Sequence, residues 1–282
     1  MRLIDKTTLL TTALALLMST AFSAELEEVT PNPKGGVQVV PVDPTPDPNE
    51  VETRVLFPEE GEVKHSLPVK GQIRLEGIAL GVNTEDSPRM REIWNDPDGQ
   101  SLHVFIDNQP YFAISEAFID SNDDIEDYFE QRADFEIPFK LQPGMHVIRV
   151  IPVRSYNESV KSNRAFTATT FYYKEKKGDP QVDLSAPYLT FNEPQGEYDY
   201  NKKNPEPILL DFFLTNCELS KDGYKLRLTI DNENQRTLIS WQPYYIYGLK
   251  KGLHRVRLEL LDPQNKKVPG IFNDVTRTIV VK

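Results

Sequence analysis

The chain reads as all-β, two β-sandwich domains in tandem, and three observations predict this. Two motifs recur in the same order, the recurring pieces alternate with the period of a strand, and turn residues abound where no long amphipathic helix can be traced. Pro at 22 and Gly at 14 of 282 residues punctuate the sequence throughout.

The repeat is the strongest of these signals. Leu102-His103-Val104-Phe105-Ile106-Asp107-Asn108 returns as Leu226-Arg227-Leu228-Thr229-Ile230-Asp231-Asn232, and the stretch from Leu141 to Val150 returns from Leu249 to Leu258. A looser echo links Phe57-Pro58-Glu59-Glu60-Gly61 to Phe191-Asn192-Glu193-Pro194-Gln195-Gly196. Leu226, Leu228 and Ile230 alternate with Arg227 and Thr229, as in a half-buried strand, and Asp231-Asn232 carries the side chains that close tight turns. Pro143-Gly144 and Lys251-Gly252 mark a second turn, after which His146, Ile148 and Val150, or His254, Val256 and Leu258, share one face of a long strand. The closing strands, Phe166 to Tyr172 and Thr276 to Val281, are rich in β-branched and aromatic residues. About seven short strands per copy predict an immunoglobulin-like or fibronectin-III-like sandwich, without the Cys…Trp…Cys spacing of antibody-type domains.

Taken in chain order, residues 1–24 are expected to be a signal peptide. Arg2 and Lys6 precede the apolar run from Leu9 to Met18, small residues follow to Ala24, and the uncharged stretch from Thr7 to Ala24 has no polar face for an amphipathic helix. Residues 25–52 carry Pro31, Pro33, Pro41, Pro44, Pro46 and Pro48 among acidic and small residues and are expected to be an extended tether, the alternative being a first edge strand at Val37 to Val40. The first sandwich is expected over 53–175, a polar connector over 176–186 and the second sandwich over 187–282. Cys217 is the only cysteine, so neither a lipid anchor at the cleavage point nor an intrachain disulfide is expected. No segment after the signal peptide has the apolar length of a membrane helix.

An opening Pro/Gly turn, the strand His103 to Asp107 and the turn Leu141 to His146 together resemble an uncharacterised family of exported bacterial domains with immunoglobulin-like character. The likeness covers most of the first copy. In that family several adjacent histidines precede the Ile-Asp pair, whereas here only His103 does; the second copy has Arg227 at the corresponding place. The resemblance implies fold and export, not an activity.

Composition and motifs then narrow the function. A formal charge of -11 repels a phosphate backbone, so nucleic acid is not an expected partner. No nucleophile elbow, phosphate loop, dinucleotide fingerprint or zinc spacing occurs; of the four histidines, His65, His103, His146 and His254, the two that follow a turn glycine, His146 and His254, are read as rings that pack and bond backbone, and His103 begins a strand. The chain is therefore expected to be non-enzymatic and without a cofactor. The one candidate for a bound ion is calcium at the acidic run Asp120, Asp123, Asp124 and Asp127, although Ile125 and Gln131 stand where an EF-hand loop needs Gly and Glu.

Two insertions distinguish the first copy. The repeat offset is 124 residues at Leu102 and Leu226 but 108 at Leu141 and Leu249, which places 16 extra residues between those landmarks. A second enlargement lies around Asn83 to Gln100 and contains Trp94. Insertions on a rigid sandwich are where recognition usually resides, so the leading expectation is an envelope scaffolding or binding protein that recognises another envelope or surface protein through these loops. The alternative is a carbohydrate- or cell-wall-binding module that uses the aromatic run Trp241, Tyr244, Tyr245 and Tyr247, whose other reading is core.

Overall fold

The computed structural model describes residues 36–85, 87–119, 130–178, 182–199 and 207–282, and residues 31–282 form one compact unit. The expected signal peptide and the acidic run Asp120, Asp123, Asp124 and Asp127 lie outside the described residues. Among the described residues there is no α-helix, only a 3-10 turn at Pro88–Arg91, and no helix long and apolar enough to cross a membrane.

The chain is all-β and contains two sandwiches. Strand β1 (Gln38–Pro41) comes first. The first sandwich follows as β2 (Glu52–Phe57), β3 (Glu62–Lys64), β4 (Lys70–Glu76), β5 (Ser101–Ile106), β6 (Phe112–Ile114), β7 (Gln131–Glu136), β8 (Gly144–Val153) and β9 (Thr167–Tyr173). The second is β10 (Tyr188–Glu193), β11 (Gly196–Tyr198), β12 (Ile208–Thr215), β13 (Lys225–Ile230), β14 (Asn234–Leu238), β15 (Tyr244–Tyr247), β16 (Gly252–Leu261) and β17 (Asp274–Val281).

Strand for strand the two copies match. A β2-β4-β7 sheet faces a β3-β9-β8-β5-β6 sheet in the first; β10-β12-β15 faces β11-β17-β16-β13-β14 in the second. In each copy the opening strand bulges, passes a cis X-Pro peptide at Pro58 or Pro194, and continues as a short strand that pairs in parallel with the last one, β3 on β9 and β11 on β17. Each copy buries its own apolar cluster: Ile73, Leu102, Val104, Ile148 and Phe171 lie in the first, and Leu189, Phe212, Leu228, Val256 and Ile279 in the second.

The repeated Ile-Asp and Gly-x-His residues have one structural explanation. Asp107 and Asp231 both take a left-handed backbone, φ 51° and 54°, where a short polar side chain can bond locally. The Oδ1 of Asp107 accepts from the backbone N–H of Val147 and that of Asp231 from Arg255, each at 2.9 Å. Their Oδ2 atoms meet His146 Nδ1 at 2.7 Å and His254 Nδ1 at 2.6 Å, while the opposite ring nitrogens face the carbonyls of Gln142 and Lys250. The histidines thus clasp the turn before the long strand to the end of the strand beside it. Burial opposes a charge on His146, but the Asp107 carboxylate and the Gln142 carbonyl outweigh it and raise its pKa, so that both ring nitrogens can donate.

The Pro-rich segment departs from the expected tether. Residues 38–41 form β1, which pairs antiparallel with β15 from Gln38 opposite Tyr247 to Pro41 opposite Tyr244 and adds a fourth strand to a sheet of the second sandwich. Val37 and Val39 pack on that sandwich's core, which gives this short alternation the apolar partner a tether lacks. Residues 42–47 continue between the copies as a strap. Thr45 donates from its backbone N–H and its hydroxyl to Glu158, both at 2.8 Å, and Arg154 donates to the Thr45 and Pro46 carbonyls.

Candidate functional site

The two sandwiches share a face. In β13 only alternate residues are fully buried, as a half-buried strand requires, but all six residues of β5 are buried, because its second face lies against the second copy. Phe105, Ile151 and Val153 from the first sandwich meet Phe213 from the second, and Val147 meets Tyr188 and Phe272. A polar seam runs beside this apolar contact. His103 Nδ1 lies 2.7 Å from Asn192 Oδ1, Asn192 Nδ2 donates to Asp211 at 2.8 Å, and Lys161 reaches the other Asp211 oxygen at 2.5 Å. Arg149, 2% exposed, donates to the Leu189 carbonyl and the Thr190 hydroxyl across the same face.

At one edge the seam opens into a cavity of about 410 Å³, lined from the first copy by Ile93, Trp94, Asp96 and Tyr111 and from the second by Glu193, Gln195, Glu197 and Tyr198. Its floor is organised by Glu193. Tyr111 and Tyr198 donate their hydroxyls to the two carboxylate oxygens, and the backbone N–H of Gln195 adds a third bond at 3.0 Å. Burial raises the Glu193 pKa to about 7 even though these bonds favour its charge. At the wall Lys282 pairs with Glu197.

Trp94 reaches this cavity because the insertion that carries it is pinned on both sides. Ser87 caps the 3-10 turn by accepting from the Arg89 N–H. Arg89, 7% exposed, then ties the turn to Glu158 at 2.8 Å, to the Tyr245 hydroxyl at 3.0 Å and to the strap carbonyl of Asp43. Ile93 packs with Tyr156, Leu209 and Tyr245, and two residues past Trp94 the Asp96 N–H donates to the Ser155 carbonyl at 2.6 Å. The insertion closes where Gln100 donates to the Val82 carbonyl and Gly99, at φ 77°, crosses so near the Val82 backbone that a Cβ would lie 2.6 Å from it. Between these anchors the indole of Trp94 remains 48% exposed and joins none of the apolar clusters.

Two connections of the first copy are longer than their counterparts in the second. Residues 77–100 stand where the second copy has 216–224, and residues 115–130 where it has 239–243. Their roots touch: the Gln131 side chain accepts from the Leu80 N–H and donates to the Ile78 carbonyl. The tip that carries Asp120, Asp123, Asp124 and Asp127 is outside the described residues, and among the described residues no cluster of three or more potential ligands could hold a metal ion.

The aromatic run of the second copy, read either as core or as a sugar platform, has its two β15 tyrosines Tyr244 and Tyr245 in the interior. Tyr244 and Tyr245 are 6% and 4% exposed; their hydroxyls bond the Ser240 carbonyl, and Arg89 with Glu92, respectively. Trp241 donates to the Phe212 carbonyl at 3.0 Å and sits edge-on to Phe213, while Tyr247 is half-buried against Tyr245. Strand β15 has the core on one face and the first sandwich on the other, so no broad ring face of Tyr244 or Tyr245 is left for stacking. Glu193, Tyr111, Gln195 and Tyr198 were not singled out by motif; the only hint was the loose echo ending at Gly196.

Fold and site together define a tandem β-sandwich with a cleft between its two copies. No family model and no curated protein matches the chain. Among solved structures it is similar to the fibronectin(III)-like modules of Clostridium thermocellum CbhA, with 12% identity over 82% of this chain and 94% of that one, at a TM-score of 0.26. It is also similar to SGBP-B of the Bacteroides ovatus mixed-linkage glucan utilization locus, in complex with a mixed-linkage heptasaccharide. That likeness has 13% identity over 82% of this chain and 47% of that one, at a TM-score of 0.18. The extracellular domain of the one component system BT4673 from B. thetaiotaomicron gives 8%, 78%, 43% and 0.26 for the same measures.

Proposed function

We propose that the chain is an exported, non-catalytic binding protein of the bacterial envelope, and that its recognition surface is the cleft where the first copy's insertion presents Trp94. One observation carries the reading. Trp94 is half-exposed at a polar cavity while the residues on either side of it are anchored, so the protein holds a large apolar side chain in water at a fixed place. An isolated apolar side chain on a mobile loop would carry no such meaning; a pinned one at the mouth of a cavity is how binding sites are built.

Three of the four histidines are engaged elsewhere, His103 in the seam and His146 and His254 in the turn clasps, which supports a non-catalytic role. The bonded network between the copies supports a rigid cleft whose walls keep their spacing when a ligand enters. Retention of the purified chain on whole envelope material tests the reading. Binding is expected to fall about tenfold in Trp94→Ala with the unfolding midpoint unchanged. Equal retention of the variant would sink the proposal.

A further inference from the structure

Which ligand fits the cleft follows from the chemistry of its walls. Among the described residues three carboxylates, Asp96, Glu197 and Asp199, face one ammonium, that of Lys282, already paired with Glu197, while Glu193 is buried with its oxygens taken by Tyr111, Tyr198 and the Gln195 N–H. Such a wall repels phosphates, uronates and nucleic acid. The same polar groups exclude a purely apolar guest, since their desolvation would go uncompensated. What remains is a ligand with one apolar face for the indole and an edge crowded with hydroxyls, which both donate and accept.

Gln195 belongs to the wall itself: its amide nitrogen donates to the Tyr111 carbonyl at 3.3 Å and its Oε1 is buried behind the cavity surface. Carboxylates such as Asp96 on one wall and Glu197 on the other are acceptors, and they call for ligand donors. A sugar ring offers these around its rim and presents C–H groups to an aromatic face. An alkylammonium would satisfy the charge and the indole, but it supplies few donors to this ring of acceptors. The cavity, about 410 Å³, lies in the range of small-ligand pockets.

We infer that the cleft takes a neutral oligosaccharide, one ring stacked on Trp94 and its hydroxyls bonded by Asp96 and Glu197. This rests on the cleft being the recognition surface. It moves the carbohydrate site away from the aromatic run of β15 to the junction of the two copies.

The test is calorimetric titration of the full chain with a panel of neutral α- and β-linked hexaoses and their N-acetylated counterparts, with tetralysine and an oligogalacturonate as charged probes. At least one neutral sugar is expected to bind, about tenfold more weakly to Trp94→Ala and with intermediate affinity to Trp94→Phe, while the oligogalacturonate gives no heat. Absence of binding by every neutral sugar, or sugar binding indifferent to Trp94, overturns the inference. Trp94-dependent binding of tetralysine alone also overturns it, yet leaves the cleft as the recognition surface. Envelope retention indifferent to Trp94 instead removes the reading on which it rests.

Discussion

His103 Nδ1 meets Asn192 Oδ1 at 2.7 Å, and this bond crosses from the first sandwich to the second at a point where neither side chain reaches solvent. Burial pushes the imidazole pKa down to about 4 against the pull of Asn192 and Asp211, so the ring is neutral at pH 7. The Asn192 nitrogen is spent on Asp211 and on the Asn157 carbonyl, which leaves its oxygen as acceptor and places the histidine proton on Nδ1. Tyr111 stacks on the same ring at 3.5 Å, linking the seam to the floor of the cavity.

Asn192→Ala is therefore expected to cost about 2–4 kcal/mol, because it leaves the buried His103 N–H without an acceptor and takes one donor from the buried Asp211, which keeps Lys161 and the Ser159 N–H. Urea unfolding measures this. A loss below about 0.5 kcal/mol would mean that the seam does not hold the copies together.

The pH dependence of stability should be nearly flat between pH 4.5 and 6.5, through cancellation. His103 has a folded value of about 4, below its unfolded 6.5, so the unfolded chain binds more protons in that window and stability falls as the pH drops. Glu193 has a folded value of about 7, above its unfolded 4.5, so the folded chain binds more protons and stability falls as the pH rises. Each effect amounts to about 3 kcal/mol. Glu193→Gln removes the second, and unfolding of that variant between pH 4.5 and 6.5 should show stability climbing with pH; a profile parallel to the parent's would contradict this assignment.

Glu158 joins the strap to the insertion, accepting from Thr45 twice and pairing with buried Arg89. Glu158→Ala should cost about 3–5 kcal/mol, since Arg89 keeps its charge in a buried place without its partner. Hydrogen exchange should quicken at the Thr45 amide in particular, and unchanged protection there would show that the strap is held by other bonds.

Acrylamide quenching separates the two tryptophans. With Trp94 48% exposed and Trp241 tied to Phe212 and Phe213, most quenchable emission should come from Trp94. Trp94→Phe should leave a blue-shifted, weakly quenched spectrum and Trp241→Phe a red-shifted, strongly quenched one. The reverse pattern would place Trp94 inside the protein.

Much of the fold was legible because the informative residues act locally. Asp107 with His146, and Asp231 with His254, close turns between strands that are neighbours in the sheet, so their spacing could repeat and be recognised. Alternation from Leu226 to Ile230 reports one buried face, but the matching strand β5 carries no trace of its second, since His103 and Phe105 are covered by the second domain and not by their own core. Strand β1 was ambiguous for a related reason: Val37 to Val40 alternates weakly among prolines, and its partner lies about 200 residues away. Trp94 lies in one of the two long connections of the first copy. Its companions Glu193, Gln195 and Tyr198 come from the opposite copy, and only packing brings them to the same cavity.

Strand β1 also imposes an order of events on folding. It is made before the first sandwich, yet its hydrogen-bonding partner, β15, belongs to the last fifth of the chain. The first sandwich builds its two sheets from consecutive strands, whereas a sheet of the second gains its added fourth strand only when a segment already made folds back over its neighbour. Such long-range closure is slow, and until it occurs the edge of β15 is open, with its tyrosines and Ile246 available to any passing strand. Closure of that edge also brings in the strap that follows β1, whose Thr45 bonds Glu158 of the first sandwich, so the last strand of one domain and one of the ties between the two arrive together.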